Sequence, residues 1–257
     1  MSKVSDFNEL IKKREVTTTA SPFAIIRLDG RGFSKLTAAY FNKPVDLKFH
    51  NAMVDACNAI FYWSGIKIAY VQYHSDEISV LISNDDTTFG RNVQKYITVL
   101  SSLVASVLTR HFNVDQPIMV DGRLHQAGDV TDVLHYFKWR QRDAERNALN
   151  TYCYWTLVNS GLSKKKADSM MRVCCGNPDA LKALIDQYSG RKISYEKLEG
   201  WVTNVTAFYW VDDPHFGYNP KTQEKVETTR RAVMRVDNLE GGDTYKAFIS
   251  GVVRDVI

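Results

Sequence analysis

Cys-x-x-Cys pairs, long apolar runs, internal repeats and low-complexity tracts are all missing from these 257 residues. Each absence narrows the reading. The four cysteines (Cys57, Cys153, Cys174 and Cys175) form no Cys-x-x-Cys pair and have no histidines at matching spacing. A structural zinc centre is therefore not expected, and a reducing cytoplasmic compartment fits best. No stretch approaches the length of a membrane span, and MSKVSDFNEL lacks an apolar signal core, so no membrane partner is expected. Excess charge is also small. A net charge of +4 permits a polyanionic partner without demanding one.

What remains is ordinary globular composition, 44% apolar and 24% charged, in a chain long enough for a substantial core. Two acidic stretches stand out, Asp29-Gly30 in AIIRLDGRGF and Ser75-Asp76-Glu77 in VQYHSDEISV. Residues 23–28 read as a buried strand that leaves Asp29 at its C-terminal end. Residues 66–73 and 78–83 read as two more strands, joined through His74-Ser75-Asp76-Glu77. Phe49, Met53, Cys57 and Phe61 recur at four-residue spacing, which predicts a helix over 47–63.

That order predicts a split βαβ arrangement, with the third strand filling the gap between two parallel ones. Asp29 and Asp76 then meet at one edge of the sheet. Two close carboxylates repel unless a cation or a shared proton intervenes. Oxygen ligands favour a hard ion, so Mg²⁺ is the first choice, and two such ions clamping a triphosphate suit nucleotidyl transfer. An exposed acidic turn on an ordinary α/β domain explains the same pattern, and both readings stay open at this point.

A second helix is expected over 89–112. Arg91 and Lys95 lie one turn apart near its start, where a solvated basic edge is the plainer reading. Residues 117–124 resemble a closing strand, which completes a βαββαβ unit over about 20–130. Upstream, Ser5 is expected to cap a short helix ending at Lys13.

A helical region over 130–161 follows, with Trp139, Asp143 and Asn147 on one face. Its mixed aromatic and basic residues suit RNA, although Trp139 and Trp155 read more simply as core. Further helices are expected from Ser163 and from Asn177-Pro178. The tail turns to β, with 200–210 and 226–236 pairing as a ribbon that carries Arg230 and Arg231. Those two are either RNA contacts or edge-protecting charges.

At this level of detail the chain resembles the tRNA-His guanylyltransferases and their relatives, the guanylyltransferase-like 3′–5′ RNA polymerases. The resemblance rests on RLDGRGFSKL, KPVD, QYHSDEISVLI, VDGR and YFKWRQRDAERNALNTYCYWTLVNSGLS, between about residues 23 and 167, and on the tail GYNPKTQEKVETTRR. It implies an α+β fold: a polymerase-palm, ferredoxin-like βαββαβ core with added helices and a C-terminal β-ribbon. The palm-like part is expected over 1–135 and its helical and β extension over 136–257, packed as one compact unit.

The resemblance also implies residue roles. Asp29, Asp76 and the Gly30 carbonyl correspond to the ligands of two Mg²⁺ ions, and Glu77 supplements them. The loop Asp29, Gly30, Arg31, Gly32, Phe33 and Ser34, together with Lys43, Ser75 and Lys95, would hold ATP or GTP. Arg140, Asp143, Arg146, Asn147, Arg230 and Arg231 are candidate contacts to tRNA or its 5′-end. A tetramer is the assembly that the resemblance implies.

One departure bears on specificity. Family members dedicated to adding G to tRNA-His carry His-Ile-Asn-Asn where this chain has Glu145-Arg146-Asn147-Ala148. Glutamate does not replace the histidine one for one. The change favours the template-directed branch that repairs tRNA 5′-ends, with dedicated G addition as the alternative. A palm-type nucleotide cyclase shares the two-carboxylate logic but leaves the segment after residue 136 unexplained. A non-catalytic RNA-binding domain of ferredoxin-like topology would want aromatics exposed on its sheet face.

Overall fold

A computed structural model describes residues 17–174, 176–239 and 242–254. The expected Ser5-capped helix and Cys175 lie outside the described residues.

Six strands form one antiparallel sheet, ordered β4-β1-β3-β2-β5-β6. They are β1 (Ala24–Gly30), β2 (Ile68–His74), β3 (Glu77–Ile82), β4 (Val120–Gln126), β5 (Thr206–Asn219) and β6 (Glu224–Val236). The third strand does sit between the first two, as the split arrangement requires: β1 pairs with β3, and β3 with β2. Asp29 is the penultimate residue of β1 rather than the residue beyond it.

Alternation along the strands sends side chains to two faces. Ile26, Leu28, Val71, Tyr73, Ile78 and Val80 pack on one side in the larger core. Helices α1 (Phe33–Tyr40), α2 (Leu47–Trp63) and α3 (Val93–Phe112) cover that side. The spacing of apolar residues drives α2, and Asp46 starts it, its carboxylate accepting from the backbone N–H groups of Lys48 and Phe49. Ile25, Tyr70 and Leu81 face the other way. They pack beneath α4 (Val130–Asn159) and α8 (Asp243–Arg254). The result is three layers, helix on sheet on helix.

The remaining helices, α5 (Lys164–Val173), α6 (Pro178–Tyr188) and the short α7 (Gly200–Thr203), gather around the C-terminal half of α4 in a third core. Ser163 and Asn177 cap α5 and α6 as expected, each side chain accepting a backbone N–H. The ribbon is offset from expectation: residues 200–203 are helical, and the strands run Thr206–Asn219 and Glu224–Val236. Only Thr206 to Tyr209 pair with β2, so the rest of the ribbon projects beyond the sheet. No helix among the described residues is long and apolar enough to cross a membrane.

Candidate active site

The C-terminal edge of β1 and the β2–β3 turn lie side by side. His74 pairs with Glu77, so Ser75 and Asp76 make a two-residue turn, with Ser75 in the left-handed region (φ 54°). Asp29 pairs with Glu77 on one side and with Asp121 on the other. Residues directly opposite one another share a face, so Asp29 and Glu77 both look toward α4. The topology has brought the two acidic stretches together.

The electrostatics agree. Burial raises the Asp76 carboxyl above its usual range, and the neighbouring charge of Asp29 raises it further. The Ser75 hydroxyl, 3.2 Å from Asp76 Oδ1, and the Lys43 ammonium act in the opposite direction. Glu77 is also raised by burial, against the pull of Arg140 and Arg27. Arg140 Nε lies 2.7 Å from Glu77 Oε1, and Nη2 donates to Oε2 at 2.7 Å. Glu77 is thus engaged by cations of its own, whereas Asp29 and Asp76 retain mutual repulsion.

Two glycines shape the loop after β1 for different reasons. A Cβ on Gly30 would sit 2.4 Å from the Phe33 ring, so the ring packs directly on the backbone. Gly32 begins α1 in the left-handed region (φ 76°) and supplies no side-chain cap, leaving the first-turn N–H groups of that helix without one. Arg31 and Gly32 are exposed, and the Arg31 N–H donates to the Met119 carbonyl at 2.9 Å.

A cavity of about 520 Å³ opens here. Asp29, Phe33, Ser34, Lys43, Ser75, Asp76, Glu77, Arg140 and Asn147 all contribute to its wall. Lys43 Nζ donates to Thr37 Oγ1 at 2.7 Å and stands 6.0 Å from the centre of the Trp155 ring. Burial lowers its pKa, opposed by Asp76 and Asp46. His74 is driven down to about 4 by burial and by the adjacent Arg140 charge, with Asp143 opposing, so it stays neutral.

Among the predicted residues, Arg31 and Arg146 are exposed outside the cavity wall, and Lys95, Arg230 and Arg231 lie elsewhere. Lys95 sits at the start of α3, beside Arg91, whose guanidinium donates to the carbonyls of Ser21 and Ser83 at the opposite edge of the sheet. The reason is direction: β3 runs antiparallel to β1, so the helix after it begins at the far edge. Arg230 and Arg231 lie on the projecting ribbon because β5 starts at the cavity edge and runs away from it. Arg230 donates to Asp213 at 2.8 Å, and Arg231 lies over the Trp210 ring at 5.1 Å.

The α4 candidates divide. Asp143 accepts from Arg140 (3.1 Å), from Arg146 and from Asn147 (3.2 Å), and Arg146 points outward. Trp139 is 54% exposed, stacked with the Arg140 guanidinium 4.6 Å away, and is not the core residue expected. Trp155, also expected in the core, lines the cavity instead.

Sequence reasoning missed His50, Trp201 and Asp46, whereas Arg27 follows from the positive charge around the Asp29 loop and lies 4.0 Å from Glu77. His50 alone carried a signal, as a polar side chain on the inward stripe of α2 beside Met53 and Cys57.

Can the site hold a metal? Among the described residues no three or more His, Cys, Asp or Glu side chains group as a metal cluster. The fit rests instead on two carboxylates, one raised by the other's charge, plus the adjacent Gly30 carbonyl. That all-oxygen set suits Mg²⁺.

Comparisons with known proteins identify the family and the fold. The family profile described as tRNAHis guanylyltransferase matches residues 2–135, and that described as Thg1 C terminal domain matches residues 131–241. The tRNA(His) guanylyltransferase of Neurospora crassa is 31% identical over 166 residues, covering 60% of this chain and 56% of that protein. The probable tRNA(His) guanylyltransferase of Mus musculus is 30% identical over 176 residues, covering 64% and 58%. With that of Debaryomyces hansenii (28% over 171 residues, 62% and 64% covered), the matched part is under two thirds of each relative's length.

Among solved structures, tRNA(His) guanylyltransferase from Saccharomyces cerevisiae superposes with a TM-score of 0.68 at 18% identity, covering 86% of this chain and 95% of that one. A bacterial tRNA(His) guanylyltransferase-like protein in complex with ATP gives 0.68 at 19% identity, covering 100% and 99%. These two likenesses establish a shared fold.

Proposed function

Because this chain belongs to the tRNAHis guanylyltransferase family, we propose that it is a Mg²⁺-dependent nucleotidyltransferase extending the 5′-end of tRNA in the 3′–5′ direction. The observation that carries this is the meeting of Asp29 and Asp76 beside Lys43 in one cavity. In this reading Asp29, Asp76 and the Gly30 carbonyl hold two Mg²⁺ ions. Bound there, the metal supplies Lewis-acid polarisation of phosphoryl oxygens and lowers the pKa of a coordinated hydroxyl.

The chain's own residues do the rest. Lys43 offers a partly desolvated ammonium to a triphosphate, and the first-turn N–H groups of α1 at Phe33 and Ser34 face the same anion. Ser75 orients Asp76. Arg140 keeps Glu77 from competing as a third negative charge, which makes Glu77 a positioning residue. Asn147, at the cavity wall, and the exposed Arg146 are the contacts offered to the tRNA end. The tRNA 5′-phosphate attacks the α-phosphorus of ATP or GTP and releases pyrophosphate, and the 3′-hydroxyl of the incoming nucleotide then attacks the activated 5′-phosphorus and releases the nucleoside monophosphate.

Glu145 favours template-directed repair over dedicated G addition. It accepts from Gln141 Nε2 at 2.9 Å, so it is tied into α4 and supplies no imidazole. The palm-like part spans 1–135 with 136–257 as its extension, and the working form is a cytoplasmic tetramer. The named relatives are tRNA(His) guanylyltransferases, and they favour the alternative of G addition to tRNA-His.

The test is nucleotide incorporation with Mg²⁺ onto 5′-truncated tRNAs beside intact tRNA-His. Extension directed by the opposite base on several tRNAs supports repair. A single G on tRNA-His alone overturns that choice. No incorporation on any of them overturns the activity.

A further inference from the structure

One large aromatic stands in the open beside the cavity. Trp139 on α4 is 54% exposed, although the next residue, Arg140, lines the cavity wall. Its indole is nevertheless held in place. The Arg140 guanidinium lies over the ring at 4.6 Å, and the Tyr136 ring meets it at 6.1 Å and 71°. Both supports are themselves anchored: Arg140 grips Glu77, and the Tyr136 hydroxyl shares a hydrogen bond with Ser79 at 3.0 Å. Surface left in water adds nothing to the core, so a fixed, half-open indole serves more than packing.

Arg140 also ties this indole to the acidic edge. Glu77, on its other side, stands directly opposite Asp29 across the β1–β3 pair. Arg142 and Arg146 follow Trp139 at i+3 and i+7, which puts them on its side of α4, and both are exposed. His125, exposed on β4, lies 4.9 Å from the Tyr136 ring. A flat aromatic surface flanked by arginines suits single-stranded RNA, whose bases stack while its phosphates meet the cations.

We propose that Trp139 is a stacking platform for an unpaired nucleotide of the tRNA 3′ strand, with Arg142 and Arg146 holding the adjoining phosphates. This role rests on the tRNA reading of the site given above. A 5′-end under extension lies at Asp29 and Asp76, so the unpaired nucleotides of the opposite strand begin at the rim of the same site. Stacking is indifferent to base identity, because every base has a π-face. The platform therefore leaves the choice of incoming nucleotide to the opposite base.

The test is equilibrium binding of two RNAs to the full chain with Mg²⁺. One is a 5′-truncated tRNA with its unpaired 3′ nucleotides, the other the same tRNA with those nucleotides removed. Inorganic tripolyphosphate probes the cavity itself. Trp139→Ala is expected to bind the tailed RNA ~10-fold more weakly, within the worth of one stacked base, and the tailless RNA as wild type does. Trp139→Phe keeps a ring and should retain most of the preference for the tailed RNA. In turnover the KM for tRNA should rise in Trp139→Ala while kcat and the KM for nucleotide hold. Arg142→Gln should flatten the salt dependence of binding by about one counterion, which Trp139→Ala leaves unchanged. Equal losses on both RNAs, or no loss on either, would overturn the platform. So would a matching fall in tripolyphosphate binding, which would make Trp139 a prop for Arg140 alone. If wild type binds neither RNA, the tRNA reading beneath it fails instead.

Discussion

Arg140 and Glu77 meet face to face between helix α4 and the sheet, Nε 2.7 Å from Oε1 and Nη2 2.7 Å from Oε2. The pair is sheltered, with side chains 12% and 22% exposed. Removing one member strands the other's charge, at a cost of about 1.5–3 kcal/mol for a charged hydrogen-bonded group. Arg140→Ala should therefore lower stability by that amount and, by releasing Glu77 beside Asp29, depress turnover. Glu77→Gln in the same chain should recover much of both. A double-mutant cycle in urea melts and in turnover checks this, and additive losses would break the link.

Much of this arrangement was legible in the sequence, because its cause is local. Four-residue apolar spacing drew α2 over Leu47–Trp63, and β-branched runs drew the strands that carry the two acidic stretches. The illegible parts depend on direction and on distant packing. Lys95 belongs with the nucleotide by resemblance alone, and the antiparallel pairing of β1 and β3 sends α3, and Lys95 with it, to the far edge. Trp155 reads as core in one dimension because an aromatic at helical spacing looks the same whether it faces protein or a cavity. Trp201 becomes visible only when α7 folds against the chain after β6.

Asp76 should trade function for stability. Its carboxyl is buried near Asp29, and both effects raise its pKa. A raised carboxyl loses its proton less readily folded than unfolded, so ionisation at neutral pH costs stability. Asp76→Asn is expected to raise metal-free stability by about 0.5–2 kcal/mol while abolishing nucleotide addition. Asp29→Ala should be equally inactive and still folded. The stability gain should shrink as the pH falls and wild-type Asp76 takes up its proton. Thermal melts without Mg²⁺ decide the first point, and normal turnover in either variant would remove these carboxylates from the mechanism.

Gly30 and Gly32 should fail differently when replaced by alanine. At Gly30 the new methyl meets the Phe33 ring at 2.4 Å, so ring and loop must shift; such overpacking costs about 1–3 kcal/mol. It also displaces a carbonyl assigned to the metal, so activity should fall further than stability. Gly32 has open space around it but a φ of 76°, a strain of about 1–2 kcal/mol for a side chain. Gly32→Ala should thus lose stability and retain most of its Mg²⁺ dependence. Equal Mg²⁺ titrations for the two variants would contradict the distinction.

Asp46 links the start of α2 to Lys43. Partial burial alone would raise its carboxyl, but hydrogen bonds from the backbone N–H groups of Asn42, Phe49 and Lys48 outweigh it and hold the pKa below the usual range. A depressed folded pKa contributes stability above the unfolded value of 3.8 and loses it as pH falls through the folded one. Asp46→Ala should cost about 1 kcal/mol at neutral pH, typical of a lost N-cap, and the difference from wild type should vanish in acid below that range. The same carboxylate accepts from the Asn42 side chain at 3.1 Å and braces the turn that carries Lys43. The variant should therefore also bind tripolyphosphate more weakly, at a pH where both proteins are fully folded. Unchanged tripolyphosphate binding beside a lost cap would mean that Lys43 holds its place without Asp46.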